Sequence, residues 1–216
     1  MSTKKTLIII GAGGHGKVVA DSAEEMACYD EIFYLDGRAP ELKVCGVWQV
    51  IDQPQNFIKY NQENVDFFVA IGENLTRKKW LTTLMDSNIN VATIIHPKAV
   101  ISKHASVDQG SLICANATIN PFTQIGIGCI VNTAASIDHD CVIEEFVHIA
   151  PGNNIAGTVK VDKLSFVGIG CSIIQGITIG KNSVIGAGSA VVTNISDNTL
   201  AVGCPAKAIK LRKKIE

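Results

Sequence analysis

The sequence predicts a parallel β-solenoid over its second half, preceded by a Rossmann-like α/β unit, and three observations lead there. From Ile101 to Val191 every sixth residue is isoleucine or valine. An α-helix advances about 100° per residue, so a six-residue step scatters those side chains around its axis and excludes a helix. Four places after most of these residues stands a small one, as at Ala105, Ser111, Ala117, Thr123, Cys129, Ala135, Cys141, Ser165, Cys171, Ser183 and Ser189. The first 95 residues follow a different pattern, of apolar strand, glycine turn and helix.

Hexapeptide repeats wind short β segments into a triangular prism, three repeats to a coil, so residues eighteen apart stack. The Ile/Val column fills the axis. In the N-terminal unit, Thr6-Leu-Ile-Ile-Ile10 reads as a buried parallel strand, and Gly11-Ala-Gly-Gly-His-Gly16 turns into a helix from about Lys17. Glycines at 11, 13 and 16 permit a tight bend and close approach of backbone to a phosphate, and the helix N-terminus supplies unpaired N–H groups. A second strand, 31–35, ends in Asp36, at the distance where an acid meets a ribose hydroxyl. Residues 66–71 read as a third strand before Gly72, 76–85 as a helix and 91–95 as a fourth strand. This is one mononucleotide half, which favours a nucleoside diphosphate over NAD. The domains expected are thus 1–95 and 96–216.

Nineteen Lys and Arg against twenty Asp and Glu leave the chain near neutrality, so no sequence-wide pull on nucleic acid or anionic membrane exists. Basic residues gather at the tail, at Lys207, Lys210, Arg212, Lys213 and Lys214, which read equally as a solvated end or as phosphate contacts. The seven cysteines show neither paired nor metal-ligand spacing, and Cys129, Cys141 and Cys171 occupy the small column, so reduced, packed thiols and no metal site are expected. The apolar run at 7–10 is far shorter than a signal-peptide core or a membrane span, and a cytoplasmic protein without membrane insertion is the reading.

Of the five histidines, His139 and His148 in the repeat are the candidates for chemistry. His139 follows column member Ile137 by two and has Asp138 and Asp140 on either side. A carboxylate beside an imidazole fixes its tautomer and raises its basicity, which suits a general base, and either aspartate could serve. Eighteen residues on stands Gly157, whose N–H could hold an oxyanion one coil away, about 4.8 Å. Pro151, Ile169 and Ala187 form a second stacked column, a groove edge for an extended ligand. His148 is half a coil from His139, so a site using both is shared between subunits.

These residues together resemble the bacterial hexapeptide acyltransferases of the sialic acid O-acetyltransferase type, and most closely the acetyl-CoA-dependent acetyltransferases of UDP-linked 4-amino-4,6-dideoxy sugars. The likeness runs through Gly11–Gly16, Leu35-Asp36, Ala70-Ile-Gly72, Arg77-Lys-Lys79, Ile94-Ile-His-Pro97, His139-Asp-Cys-Val-Ile143 and Gly203-Cys-Pro-Ala-Lys207. It implies a left-handed β-helix, a homotrimer with its active site at the subunit interface, acetyl-CoA as co-substrate and a UDP-amino-sugar held by the N-terminal domain. By the same resemblance His139 is the base and Asp140 its partner, with Gly157 near the thioester carbonyl. His148, Ile169, Ala187 and Lys207 would line acetyl-CoA, and Gly13, Gly14, His15, Asp36, Gly37 and Gly72 would meet the nucleotide-sugar. Asp140 stands where relatives can have glutamate, Gly13 where some have serine, and Gly37 where some have a second acid. Acetylation of a sugar hydroxyl, a nicotinamide-binding domain on a structural solenoid and a non-enzymatic scaffold are the competing readings.

Overall fold

The computed structural model describes residues 4–213. The chain divides between Pro97 and Lys98 into two compact units, two residues beyond the division drawn from the sequence.

The N-terminal unit contains strands β1 (Thr6–Ile10), β2 (Glu31–Leu35), β3 (Val44–Cys45), β4 (Trp48–Asp52) and β5 (Val65–Val69), and helices α1 (Gly14–Glu25) and α2 (Asn74–Asp86). The sheet order is β3-β4-β2-β1-β5, parallel except for the β3–β4 hairpin. Strand order reverses at β1, and ligands of open α/β sheets collect at the carboxyl ends of strands beside such a reversal. Leu7, Ile9, Val19, Tyr34, Phe67 and Leu84 are fully buried around this sheet.

Several details depart from the sequence reading. Helix α1 begins at Gly14 instead of near Lys17, which draws His15 and Gly16 into its first turn. The third strand ends at Val69, and the fourth is reduced to an isolated bridge between Val91 and Phe67 and the pair Ile94–Ile95. The β3–β4 hairpin was not anticipated, because its first strand has only two residues and shows no periodicity.

In the second unit, two-residue strands recur every six residues and stack in three parallel sheets. Registers such as Ile137 with Ile155, Ile143 with Val161 and Ile149 with Val167 fix eighteen residues to the coil. From Ile113 onward every column member is at most 3% exposed; Ile101 and Val107, on the first coil, are half-buried. The small column does more than fill space. Thr123 Oγ1 donates to the Asp138 carbonyl (2.6 Å) and accepts from the Cys141 N–H (3.2 Å); Ser111, Ser165 and Ser183 bridge successive coils alike. Such bonds contribute about 1 kcal/mol each, and unmade they would leave buried polar atoms costing more.

Each coil turns three corners, and each corner has one residue at positive φ. From Gly110 to Gly188 this falls on every sixth residue, including Asn116, Phe122, Asp140, Phe146, Thr158 and Leu164. The last strand, Lys207–Leu211, runs antiparallel to Thr199–Val202 and is exposed. Lys214 lies outside the described residues. Among the described residues no helix is long and apolar enough to cross a membrane. All seven cysteines are free, with Cys28 and Cys204 exposed and the other five buried.

Candidate active site

His139 stands at a corner of the prism, one residue before the left-handed Asp140 (φ 56°). The sharp turn there brings neighbouring side chains together, and His139 Nδ1 meets Asp140 Oδ2 at 2.8 Å. The Asp140 hydrogen bond raises the imidazole pKa above its ordinary value, with the charge of Asp138 adding to it. Asp138 instead faces the backbone: its Oδ1 accepts the His139 N–H (2.8 Å) and the Asn120 amide (2.9 Å). Of the two aspartates, Asp140 is the one on the ring. Both His139 and Asp140 have side chains about half exposed (55% and 53%), open to an incoming ligand.

Gly157 stacks under this ring. A Cβ built there would lie 2.6 Å from both Cε1 and Nε2 of His139, far inside van der Waals contact, so the imidazole can rest face-on here only because this position is glycine. Among the described residues no acceptor takes the Gly157 N–H. The column of Pro151, Ile169 and Ala187 also forms, through Gly170 N to Pro151 O (3.0 Å) and Gly188 N to Ile169 O (2.8 Å). Ile169 is 57% exposed, and Ala187 is exposed beside it.

His148 lies in a different sheet from the strand before His139 and is buried, its ring edge-on to Phe166 at 5.0 Å and its Nε2 3.3 Å from the Asn132 amide. Within one chain the two imidazoles thus occupy different faces. Lys207 opens the exposed last strand, opposite Val202.

In the N-terminal unit the glycines divide into two roles. At Gly16 a Cβ would overlap the Gly11 carbonyl oxygen, and at Gly11 (φ +107°) it would press on the Ala70 carbonyl at 3.0 Å, so both serve packing. Gly13 and Gly14 have nothing within 4 Å of such a Cβ. Their bareness leaves open space in front of α1, whose N-cap Gly13 offers no side-chain cap and whose first turn has no acid. That end is suited to an anion. Gly37 is equally open and exposed.

The Asp36 carboxylate is already engaged, accepting Ala12 N–H (2.7 Å) and Arg38 Nε (2.8 Å). Arg38 and then Ala12 hold its pKa down at about 2. Sequence reasoning passed over Arg38, a mostly exposed guanidinium that also donates to Ala12 O. His15 is pushed down to about 4 by burial and by the charge of Arg77, so its ring is neutral. Arg77, fully buried, donates to the carbonyls of Ile71 and Gly72 (3.0 and 3.1 Å) and fixes the loop after β5. Among the described residues no group of three or more His, Cys, Asp or Glu could hold a metal ion.

Comparison with known proteins adds four likenesses. Residues 6–84 match the family described as the PglD N-terminal domain. A UDP-N-acetylbacillosamine N-acetyltransferase of Bacillus subtilis is 35% identical over 113 residues, covering 51% of this chain; the match spans about half (52%) of that relative's length. Among solved structures, the acetyltransferase domain of PglB from Neisseria gonorrhoeae, in complex with acetyl coenzyme A, superposes with a TM-score of 0.93 at 35% identity, covering 96% of this chain and 100% of that one. PerB from Caulobacter crescentus, in complex with CoA and GDP-perosamine, gives 0.88 at 34% identity over 95% of this chain and 97% of that one.

Proposed function

Because the chain belongs to the bacterial hexapeptide-repeat sugar acetyltransferases, we propose that it transfers the acetyl group of acetyl-CoA to the 4-amino group of a UDP-linked amino-dideoxy sugar. The observation that carries the reading is the imidazole of His139, tethered by Asp140 and lying flat on Gly157. Asp140 on Nδ1 leaves Nε2 as the atom that takes a proton.

In this mechanism the neutral sugar amine attacks the thioester carbonyl and passes its proton to His139 Nε2. The carbonyl electron pair moves onto oxygen, where the Gly157 N–H stabilises the charge. The tetrahedral intermediate then expels the CoA sulfur, which takes the proton back from His139, giving amide and free thiol. An alkyl amine is mostly protonated at neutral pH, so a base of raised pKa is well matched to it. Acetyl-CoA is assigned to the seam lined by His148, Ile169, Ala187 and Lys207. His148 lies on the sheet whose closing corner carries Ile169 and Ala187, whereas His139 follows a strand of another sheet, and a homotrimer would bring the two together across a subunit boundary. The nucleotide is assigned to Gly13, Gly14, His15, Asp36, Gly37 and Gly72, where the open helix end suits a diphosphate.

The test is thiol release from acetyl-CoA with a panel of UDP- and GDP-linked amino sugars and their hydroxyl counterparts. His139→Ala is expected to lower kcat about 10²–10⁴-fold with little change in the KM for acetyl-CoA. A loss below tenfold removes His139 as the base. Turnover confined to hydroxyl acceptors moves the enzyme to O-acetylation.

A further inference from the structure

On the other side of His139 from Gly157, one coil toward the N-terminus, the corner presents an aromatic pair that no step of the chemistry above uses. Phe122 occupies the same corner column as Asp140, eighteen residues before it, and is 62% exposed. Its backbone is left-handed (φ 64°), an uncommon conformation for a bulky residue, and its ring is open to solvent where Phe146 and Leu164, at corners of the same conformation, are buried. His104, a further coil back, stacks beneath it with ring centroids 5.5 Å apart and planes at 25°. The coils are tied by Phe122 N to His104 O (3.2 Å) and Asp140 N to Pro121 O (3.1 Å). The backbone of Pro121 and Phe122 therefore lies one coil spacing, about 4.8 Å, before that of His139 and Asp140.

Donor and acceptor must approach the base from opposite sides, because the amine attacks the carbonyl that the donor presents. With the thioester placed at Gly157, the C-terminal side of His139 is taken and the acceptor is left the N-terminal side. We infer that Phe122, backed by His104, is the stacking platform for the hexose ring of the acceptor. One coil spacing is about the width of a pyranose, and a 6-deoxy sugar offers an apolar C–H face to an aromatic ring. This inference rests on the transfer reading given above.

The experiment compares Phe122→Ala, Phe122→Leu and Phe122→Tyr with the wild type in steady-state kinetics, after circular dichroism and sedimentation have recorded folding and mass. Aromatic contacts of this kind correspond to a change of about three- to tenfold. Phe122→Ala is expected to raise the KM for the amino-sugar nucleotide by that factor and Phe122→Leu by less. Phe122→Tyr should match the wild type, with the KM for acetyl-CoA unchanged throughout. An unchanged acceptor KM in Phe122→Ala overturns the inference, and so does an equal rise for both substrates. A changed mass with the acceptor KM intact also overturns it, making the aromatic pair a contact between copies of the chain. Failure of the transfer reading shows separately, as wild-type protein that releases no thiol with any acceptor.

Discussion

Replacing Gly157 with alanine drives a methyl group into the face of the His139 imidazole. The new Cβ would sit 2.6 Å from Cε1 and Nε2 and 3.1 Å from Cδ2, against a comfortable carbon separation of about 3.5 Å. The ring must therefore withdraw by about 1 Å. It can do so at small cost in stability, because the colliding atoms are the far end of a half-exposed side chain and the Gly157 backbone is not left-handed. The thermal midpoint is expected to move by less than about 2 °C. Catalysis should suffer far more. A displacement of about 1 Å in a reacting group can cost about 10²-fold in rate, and the swing also loosens the 2.8 Å bond to Asp140. The assay is acetyl-CoA-dependent thiol release beside differential scanning calorimetry on the same preparations. A folded Gly157→Ala enzyme with kcat within threefold of wild type would refute the idea that the imidazole works from where it now rests.

Two further outcomes follow from the same geometry. Because the Asp140 hydrogen bond raises the His139 pKa, and a base must be neutral, activity is lost as pH falls through that raised value. Asp140→Asn should shift the acidic limb of the kcat/KM profile to lower pH, as well as lowering the plateau; an unmoved limb would show that Asp140 does not tune the base. In the other unit, Gly16→Ala drives a methyl into the Gly11 carbonyl oxygen and toward the Tyr34 ring at 3.3 Å, with backbone on one side and a buried ring on the other. It is expected to destabilise the N-terminal unit by about 2 kcal/mol or more in denaturant titration, while Gly13→Ala, with nothing in reach, should leave stability unchanged.

Periodic features were legible in the sequence where one residue type filled the period. The Ile/Val column sets the coil length, and the coil length alone places Gly157 beneath His139. The corner conformation has the same six-residue period, yet glycine marks only some of its positions; at Phe122, Ala134, Phe146 and Leu164 the prism imposes positive φ on residues that give no local hint of it. Tertiary stacking overrides the local preference there, so the exposure of Phe122 could not be read. His104 is unmarked in the sequence for a related reason, since its ring stacks on one a coil away. Arg38 was missed because an Asp36-Gly-Arg38 triplet looks like an ordinary strand end until the turn after β1 folds beside it.

What ties the fold to the chemistry is that the core fixes the site with the same bonds that close each coil. Thr123 grips the backbone on both sides of His139, through the carbonyl of Asp138 and the N–H of Cys141. Cys141 Sγ in turn reaches the carbonyl of Ala156 at 3.2 Å, the residue before Gly157. Base and glycine are thus held by consecutive rungs of one buried ladder, and neither can shift without breaking a bond that the interior has no water to replace. An exposed imidazole on a corner would ordinarily be free to wander. Here its backbone is clamped from within, its ring is held by Asp140, and the floor beneath it is cut to a glycine, which is how a rigid solenoid keeps a half-exposed side chain in a working position.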